Sequence, residues 1–205
     1  MNTQIKDLEV MDYPPLTEDL EEAKEHLDLY GMALIKNVLS TDEVDQMDQR
    51  LTEQFFGEEK FKVGSKVRGD EGLGVESSEE EKVSRLVWNL INKGDCFLKL
   101  IDHPKILPLI QHIIGERVCL CSMGAHMNGS GNERMALHQD QWPLVPHPMD
   151  FAFMANVMYL ISDNSQENGG TRLIPGSHKW PVLDYKTANS EEIQKMAVSL
   201  NAPKG

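Results

Sequence analysis

The sequence predicts an α+β domain, or a β-barrel with helices packed on one side. Its 205 residues, 40% of them hydrophobic, suit one domain with a sizeable core. Amphipathic helical patterns occupy much of residues 1–115, and short β-rich segments bounded by Gly, Pro, Asn and Asp occupy residues 116–205. Because a run of helices precedes a run of strands, we expect a single domain over 1–205 with a helical first part and a β second part.

The net charge of the chain argues against some classes of binding partner. The chain has 20 Lys and Arg against 33 Asp and Glu, a net charge of −13, which would repel nucleic acid and anionic membranes. No apolar run approaches the roughly 18 residues of a membrane span, and the first residues are acidic where a signal peptide is basic and then apolar. We therefore expect a cytoplasmic protein. Its cysteines, predicted to be buried reduced thiols, are Cys96, Cys119 and Cys121.

The first half of the chain predicts helix, strand, helix. Residues 17–30 have apolar side chains at helical spacing, with Thr17 as the expected N-cap and Gly31 as the stop. Residues 32–39 are typical of a short strand. The segment 40–56 begins with a Ser-Thr-Asp-Glu capping sequence ahead of one apolar stripe and predicts a second helix.

Residues 57–82 contain five glycines and many charges without sustained periodicity, which predicts a mobile surface loop. Such a loop is either a lid over the site or a plain connector. Residues 83–91 are a strand or a helix start, and 95–101 and 103–114 are two short helical pieces, the second stopped by Gly115.

The second half predicts strands. Alternating or β-rich patterns cover residues 118–127, 135–142, 151–161 and 171–175, and a further helix is expected over 190–200.

The candidate chemistry lies in His138-Gln139-Asp140. In a strand, residues two apart point to the same face, so the imidazole and the carboxylate would converge on a cation. Two histidines and one carboxylate on Fe(II) leave open positions for a cosubstrate and oxygen, and this motif supplies two of those three ligands. The alternative is a hydrogen-bonded strand histidine. A second His-x-Asp, at His26, falls in a predicted helix where the two side chains diverge.

HQDQW at 138–142 is followed by NVMYLISDNSQENGGTRLIPGSHKWP at 156–181. Together with LYGMALIKNVLSTDEVDQM (29–47) and HPKILPLIQHIIG (103–115), these segments resemble the phytanoyl-CoA dioxygenase-like family. The resemblance implies a double-stranded β-helix (jelly roll) and an Fe(II)/2-oxoglutarate-dependent dioxygenase that hydroxylates a small organic substrate with molecular oxygen and releases succinate. It matches His138 and Asp140 to the first two iron ligands. Asp140 favours hydroxylation over halogenation, because a halide needs the position that the carboxylate fills.

The resemblance also implies a second ligand histidine and a 2-oxoglutarate-binding arginine, both expected beyond Gly205. We therefore expect the domain to be incomplete at its carboxyl end and the chain alone to be inactive. Within the chain, three histidines are lesser candidates for the third ligand: His126, His147 and His178.

The remaining candidates concern the cosubstrate and the substrate. Thr171 is expected to offer its hydroxyl to 2-oxoglutarate, the alternative being a strand threonine facing a neighbour. Cations that could face a dianionic cosubstrate are Lys82, Arg85, Arg134 and Arg172. An apolar mouth, or ordinary barrel core, is expected from Met123, Met127, Met135, Trp142, Pro143, Met149, Phe151 and Phe153. A non-catalytic metal- or small-molecule-binding barrel of the same fold is the second hypothesis, and the sequence leaves the oligomeric state open.

Overall fold

The structure, a computed structural model, describes residues 11–63, 65–68, 83–128, 135–141, 151–181 and 183–205, with the backbone alone at 65–68, 83 and 84. Helices and short strands alternate along the chain. In chain order the elements are β1 Leu16–Thr17, α1 Leu20–Tyr30, β2 Leu34–Ile35, α2 Thr41–Phe61, β3 Ser65–Arg68, β4 Val83–Val87, α3 Asp95–Leu98, α4 Leu107–Ile114, β5 Ala125–Met127, β6 Arg172–Leu173, α5 Tyr185–Ala188, α6 Glu191–Met196 and β7 Val198–Ser199, with short 3₁₀ turns at Leu90–Asn92 and Ser177–Lys179.

Helix α1 confirms the first predicted helix but not its cap. The carboxylate of Asp19, rather than the hydroxyl of Thr17, accepts hydrogen bonds from the first free backbone amides. Thr17 instead belongs to β1, which pairs in parallel with β2, the only part of the predicted strand 32–39 that forms a strand. Gly31 ends α1 as predicted, in the left-handed conformation at φ 73°.

Helix α2 is the longest described helix and begins with a complete capping box. Ser40 accepts from the amide of Glu43, and the Glu43 side chain accepts from the Ser40 amide. The hydrogen bonds from Ser40 hold the pKa of Glu43 below its ordinary value. Because α2 continues to Phe61 and β3 follows it, the predicted loop 57–82 is wrong over its first part, and residues 64 and 69–82 lie outside the described residues.

The core forms where the apolar stripe of α2 packs against β4 and the turns that follow it. Phe97, on α3, is 1% exposed and is among the largest fully buried side chains. Cys96 next to it is buried as predicted, but Cys119 and Cys121 are exposed and lie in a segment, 118–124, that forms no strand. The buried members of this core are Leu39, Val44, Met47, Leu51, Phe55, Val87, Leu90, Cys96, Phe97 and Leu100.

The sheets are small and separate. Strands β3, β4 and β5 form an antiparallel sheet, and β6 pairs antiparallel with β7. No closed barrel forms among the described residues, so the structure does not confirm the expected double-stranded β-helix. Two of the predicted strands, 135–142 and 151–161, contain no strand residue in their described parts, whereas 118–127 and 171–175 contain β5 and β6.

The segment 151–161 is held against the core without pairing as a strand. The Tyr159 hydroxyl donates to the backbone oxygen of Leu100 at 2.9 Å, and burial raises the pKa of Tyr159 to about 12. The amide of Gly205 donates to the oxygen of Leu160, and the oxygen of Gly205 accepts from the amide of Leu39. In the part of the chain that is described, none of the helices has both the length and the apolar character of a membrane span.

Candidate active site

The structure brings together the imidazole of His138 and the carboxylate of Asp140. Their Nε2 and Oδ1 atoms are 3.5 Å apart, and the two side chains are 47% and 50% exposed. The reason predicted from the sequence is wrong, because residues 135–139 are irregular and a turn begins at Asp140. The contact is therefore held by side-chain hydrogen bonds rather than by strand alternation.

Backbone contact fixes the imidazole of His138. Its Nδ1 lies 2.9 Å from the carbonyl oxygen of Ala136. Since a carbonyl oxygen can only accept, Nδ1 carries the hydrogen, and Nε2 faces the carboxylate. Metal-binding histidines are commonly oriented by such a bond from the second ring nitrogen.

Asn156 fixes the carboxylate of Asp140. Its Nδ2 donates to Oδ2 at 2.5 Å, so that Oδ1 remains directed at His138. Sequence reasoning missed Asn156. The signal that could have found it is one amide inside the otherwise apolar run FAFMANVMYLI.

Gln141, the residue after Asp140, joins the same two segments a second time. Its Oε1 accepts from the backbone amide of Phe153 at 2.9 Å and from that of Met154 at 3.2 Å. The amides of Phe153 and Met154 are therefore bonded to the side chain of Gln141, although the sequence predicted that they would pair within a strand.

Asn189, just after α5, supports the residue before His138. Its Oδ1 accepts from the amide of Leu137 at 2.8 Å, and its Nδ2 donates to the Leu137 oxygen at 3.0 Å. The Asn189 amide is itself bonded to the oxygen of Tyr185 at 3.0 Å and to Nε2 of Gln194 at 3.1 Å. A side-chain amide thus bonds both backbone groups of Leu137, so that the N–H of Leu137 is not free for strand pairing.

The donor set of the pair fits a divalent metal. Two ligands with bonds of about 2.1 Å at about 90 to 110° lie about 3.0 to 3.4 Å apart, close to the observed 3.5 Å. An unprotonated Nε2 and a carboxylate oxygen are both acceptors, so a cation between them, metal or proton, satisfies both. Within the described residues, no group of three His, Cys, Asp or Glu side chains is placed to hold a metal ion.

The lesser candidates for a third ligand lie elsewhere or outside the described residues. His126 is on β5, opposite Leu86 of β4, and partial burial lowers its pKa. His178 covers Gly31 at the end of α1, where its Nε2 lies 3.3 Å from the backbone oxygen of Asp28, and partial burial lowers its pKa as well. His147 lies outside the described residues.

The candidate cations are engaged in other contacts. Arg85 pairs with Glu59 at 3.2 Å, and Arg172 donates to the backbone oxygen of Gln194 at 2.7 Å. Lys82 and Arg134 lie outside the described residues.

Thr171 precedes β6 and is half-buried. Its hydroxyl contacts the sulfur of Met158 at 3.6 Å, and its amide donates to Oδ1 of Asn164 at 3.2 Å. No described hydrogen bond joins it to His138 or Asp140.

The expected apolar mouth is described only in part. Met135 and Phe151 are 60% and 66% exposed, and the ring of Phe151 meets Phe153 edge to face with 6.3 Å between centroids. Met127 is also exposed, whereas Met123 packs against the core, in keeping with the core alternative. Trp142, Pro143 and Met149 lie outside the described residues.

Comparison with known proteins extends over most of the chain. The model of the phytanoyl-CoA dioxygenase family matches residues 27–205. "Dioxygenase af480" of Aspergillus fumigatus is 28% identical over 178 residues, which cover 87% of this chain and 55% of that protein. A "probable alpha-ketoglutarate-dependent hypophosphite dioxygenase" of Stutzerimonas stutzeri is 28% identical over 116 residues, 57% of this chain and 40% of its own length. The chain thus spans about half the length of the curated relatives it matches.

Proposed function

This chain belongs to the phytanoyl-CoA dioxygenase family, and we propose that it carries metal ligands of an iron(II)- and 2-oxoglutarate-dependent dioxygenase. The proposed reaction hydroxylates a small organic substrate with molecular oxygen and converts 2-oxoglutarate to succinate. The proposal is supported by the family match and by one relative whose name includes alpha-ketoglutarate dependence. Alpha-ketoglutarate is another name for 2-oxoglutarate.

The observation that carries the proposal is the convergence of Nε2 of His138 and Oδ1 of Asp140 at 3.5 Å. In the proposal these two atoms are metal ligands. Iron(II) bound there would offer open positions for 2-oxoglutarate and oxygen and would activate the oxygen, which is the oxidant for hydroxylation. The Ala136 carbonyl keeps the hydrogen on Nδ1, and Asn156 turns the carboxylate toward His138. Half of each ligand side chain is exposed, which leaves access for the reactants.

Thr171 is proposed to bind a carboxylate of 2-oxoglutarate through its hydroxyl. Because its described partner is a thioether sulfur, a weak acceptor, transfer of this hydrogen bond to a carboxylate is favourable. Thr171→Val should raise the KM for 2-oxoglutarate, whereas Thr171→Ser should leave this KM at the wild-type value.

The test combines metal binding with succinate release and uses a protein that includes the further ligand histidine and the arginine implied by the family resemblance. We expect His138→Ala and Asp140→Ala each to weaken Fe(II) binding by at least about tenfold under anaerobic calorimetry and to abolish succinate release. The matched control is His112→Ala, because Nε2 of His112 lies 2.8 Å from Oδ1 of Asp28 in a similar contact outside the site. A wild-type protein that never decarboxylates 2-oxoglutarate with Fe(II), even uncoupled across a substrate library, contradicts the proposed reaction.

A second candidate function, a non-catalytic metal- or small-molecule-binding domain of the same family, is favoured by a specific observation. No third ligand joins His138 and Asp140 among the described residues, and Arg85 and Arg172 are already engaged. Binding of Fe(II) that is lost in both ligand variants, without succinate release, would favour metal binding alone. Binding that is unchanged in both variants would exclude this metal site and leave a ligand-binding or structural domain.

A further inference from the structure

Gln141 forms a bridge that the proposed function does not use. One side-chain oxygen accepts from two successive backbone amides, those of Phe153 and Met154. A carbonyl oxygen has two lone pairs, so both are occupied and Oε1 is not free to bind a metal. The amides lie 12 and 13 residues along the chain, which makes this a tertiary contact rather than a local turn.

The bridge lies beside a second contact between the same segments. Asn156 follows Met154 by two residues and donates to the carboxylate of Asp140, the residue before Gln141. The turn at 140–141 is therefore tied to the segment 153–156 at two adjacent points. Either contact alone leaves a rotation free, and together they fix where Oδ1 of Asp140 points.

We propose that Gln141 is a positioning residue, which holds the segment carrying Asn156 so that Asp140 keeps its orientation toward His138. This inference rests on the proposed function of His138 and Asp140 as metal ligands. Gln141 acts through Asn156 and does not itself contact metal or substrate.

The test compares two replacements of similar size. Gln141→Met replaces the oxygen with a weakly accepting thioether at a similar side-chain length, whereas Gln141→Glu keeps an oxygen that can accept from both amides. Glu also adds a negative charge near the metal, so its matched control is Gln139→Glu, which places the same charge on an exposed neighbour. The probe is Co(II), titrated into the full chain and followed by calorimetry and by its visible absorption.

We expect Gln141→Met to weaken Co(II) binding about tenfold and to change the absorption spectrum. Loss of a hydrogen bond that orients a metal ligand has an effect of this size. Gln141→Glu should bind Co(II) within about threefold of Gln139→Glu, with the wild-type spectrum. Hydrogen exchange in wild-type protein and in Gln141→Glu should protect the amides of Phe153 and Met154, and in Gln141→Met both should exchange faster. If Gln141→Met does not fold, Gln141→Asn makes the same comparison, because its oxygen lies one methylene short of the amides.

The outcomes separate this inference from the proposed function. A folded Gln141→Met that binds Co(II) as tightly as wild-type overturns the positioning role and leaves the metal site standing. Equal weakening in Gln141→Glu and Gln141→Met also overturns it, because the acceptor would then be irrelevant. A wild-type protein that includes the further ligand histidine and still binds no Co(II) refutes the proposed metal site itself.

Discussion

Asn189→Ala is expected to destabilise the protein and to release the residue before His138. The side chain of Asn189 makes four described hydrogen bonds, two of them to the backbone of Leu137. Both Asn189 and Leu137 are half-buried, so each bond contributes about 0.5 to 1 kcal/mol after exchange with water. The sum is a loss of about 2 to 4 kcal/mol in the free energy of unfolding.

The assay is urea unfolding followed by far-UV circular dichroism at neutral pH. With a slope of about 2 kcal/mol per molar urea, the midpoint should fall by about 1 to 2 M. Asn189→Asp keeps an acceptor for the Leu137 amide but places an oxygen against the Leu137 and Tyr185 carbonyls, so it should destabilise at least as much. Asn201→Ala is the matched control, because Asn201 is exposed and should change the free energy by less than about 0.5 kcal/mol.

A second readout locates the effect of Asn189→Ala. Hydrogen exchange at the Leu137 amide should accelerate in Asn189→Ala and remain slow in Asn201→Ala. The reasoning is refuted if Asn189→Ala unfolds at the midpoint of the control, or if the Leu137 amide exchanges at the wild-type rate in it.

Two further predictions concern stability. Phe97→Ala should lower the free energy of unfolding by about 3 to 5 kcal/mol, because the ring is 1% exposed. Phe56→Ala, at a 64% exposed position, should change that free energy little. Thermal melting of the two variants measures the difference. Burial acts to raise the pKa of Glu58, but its hydrogen bonds from Lys93, at 2.9 Å, and Gln54 outweigh burial and place the pKa below the ordinary 4.5. The stabilisation from Glu58 is therefore full above pH 4.5 and is lost as pH falls through the lowered folded pKa. Lys93→Met should consequently destabilise the protein most near pH 7 and less in acid. A loss of unfolding free energy in Lys93→Met that is constant with pH contradicts this prediction.

The helices could be predicted from the sequence because their signals are local. The Ser40 cap and the stripe of α2 lie within one segment, and the structure confirms both. The end of α2 could not be predicted, because residues 57–61 carry a glycine and charges that suggest a loop, and Glu58 is held by Lys93, 35 residues away. The strand prediction failed over the described residues 135–141, where the distant side chain of Asn189 bonds the backbone of Leu137.

The site could be predicted only as far as its motif. The His-x-Asp spacing and the family resemblance of the segments around it pointed to His138 and Asp140, but the amides that hold them were missed. Asn156 and Asn189 reach their partners across 16 and 52 residues, and no periodicity marks such contacts. The apolar run around Asn156 marks it as unusual, but nothing in the sequence names Asp140 as its partner.

A side-chain amide can replace a neighbouring strand at a single residue, because it offers the same donor and acceptor as a peptide group. Asn189 does this for Leu137, bonding both its N–H and its C=O as a strand partner would. With the backbone of Leu137 held in this way, His138 can face Asp140 although no strand forms. The convergence of a His-x-Asp motif therefore does not require a strand, provided that side-chain amides hold the backbone around it. For this chain, the geometry of the proposed ligands should respond more to Asn and Gln substitutions around the turn than to changes in strand propensity within 135–141.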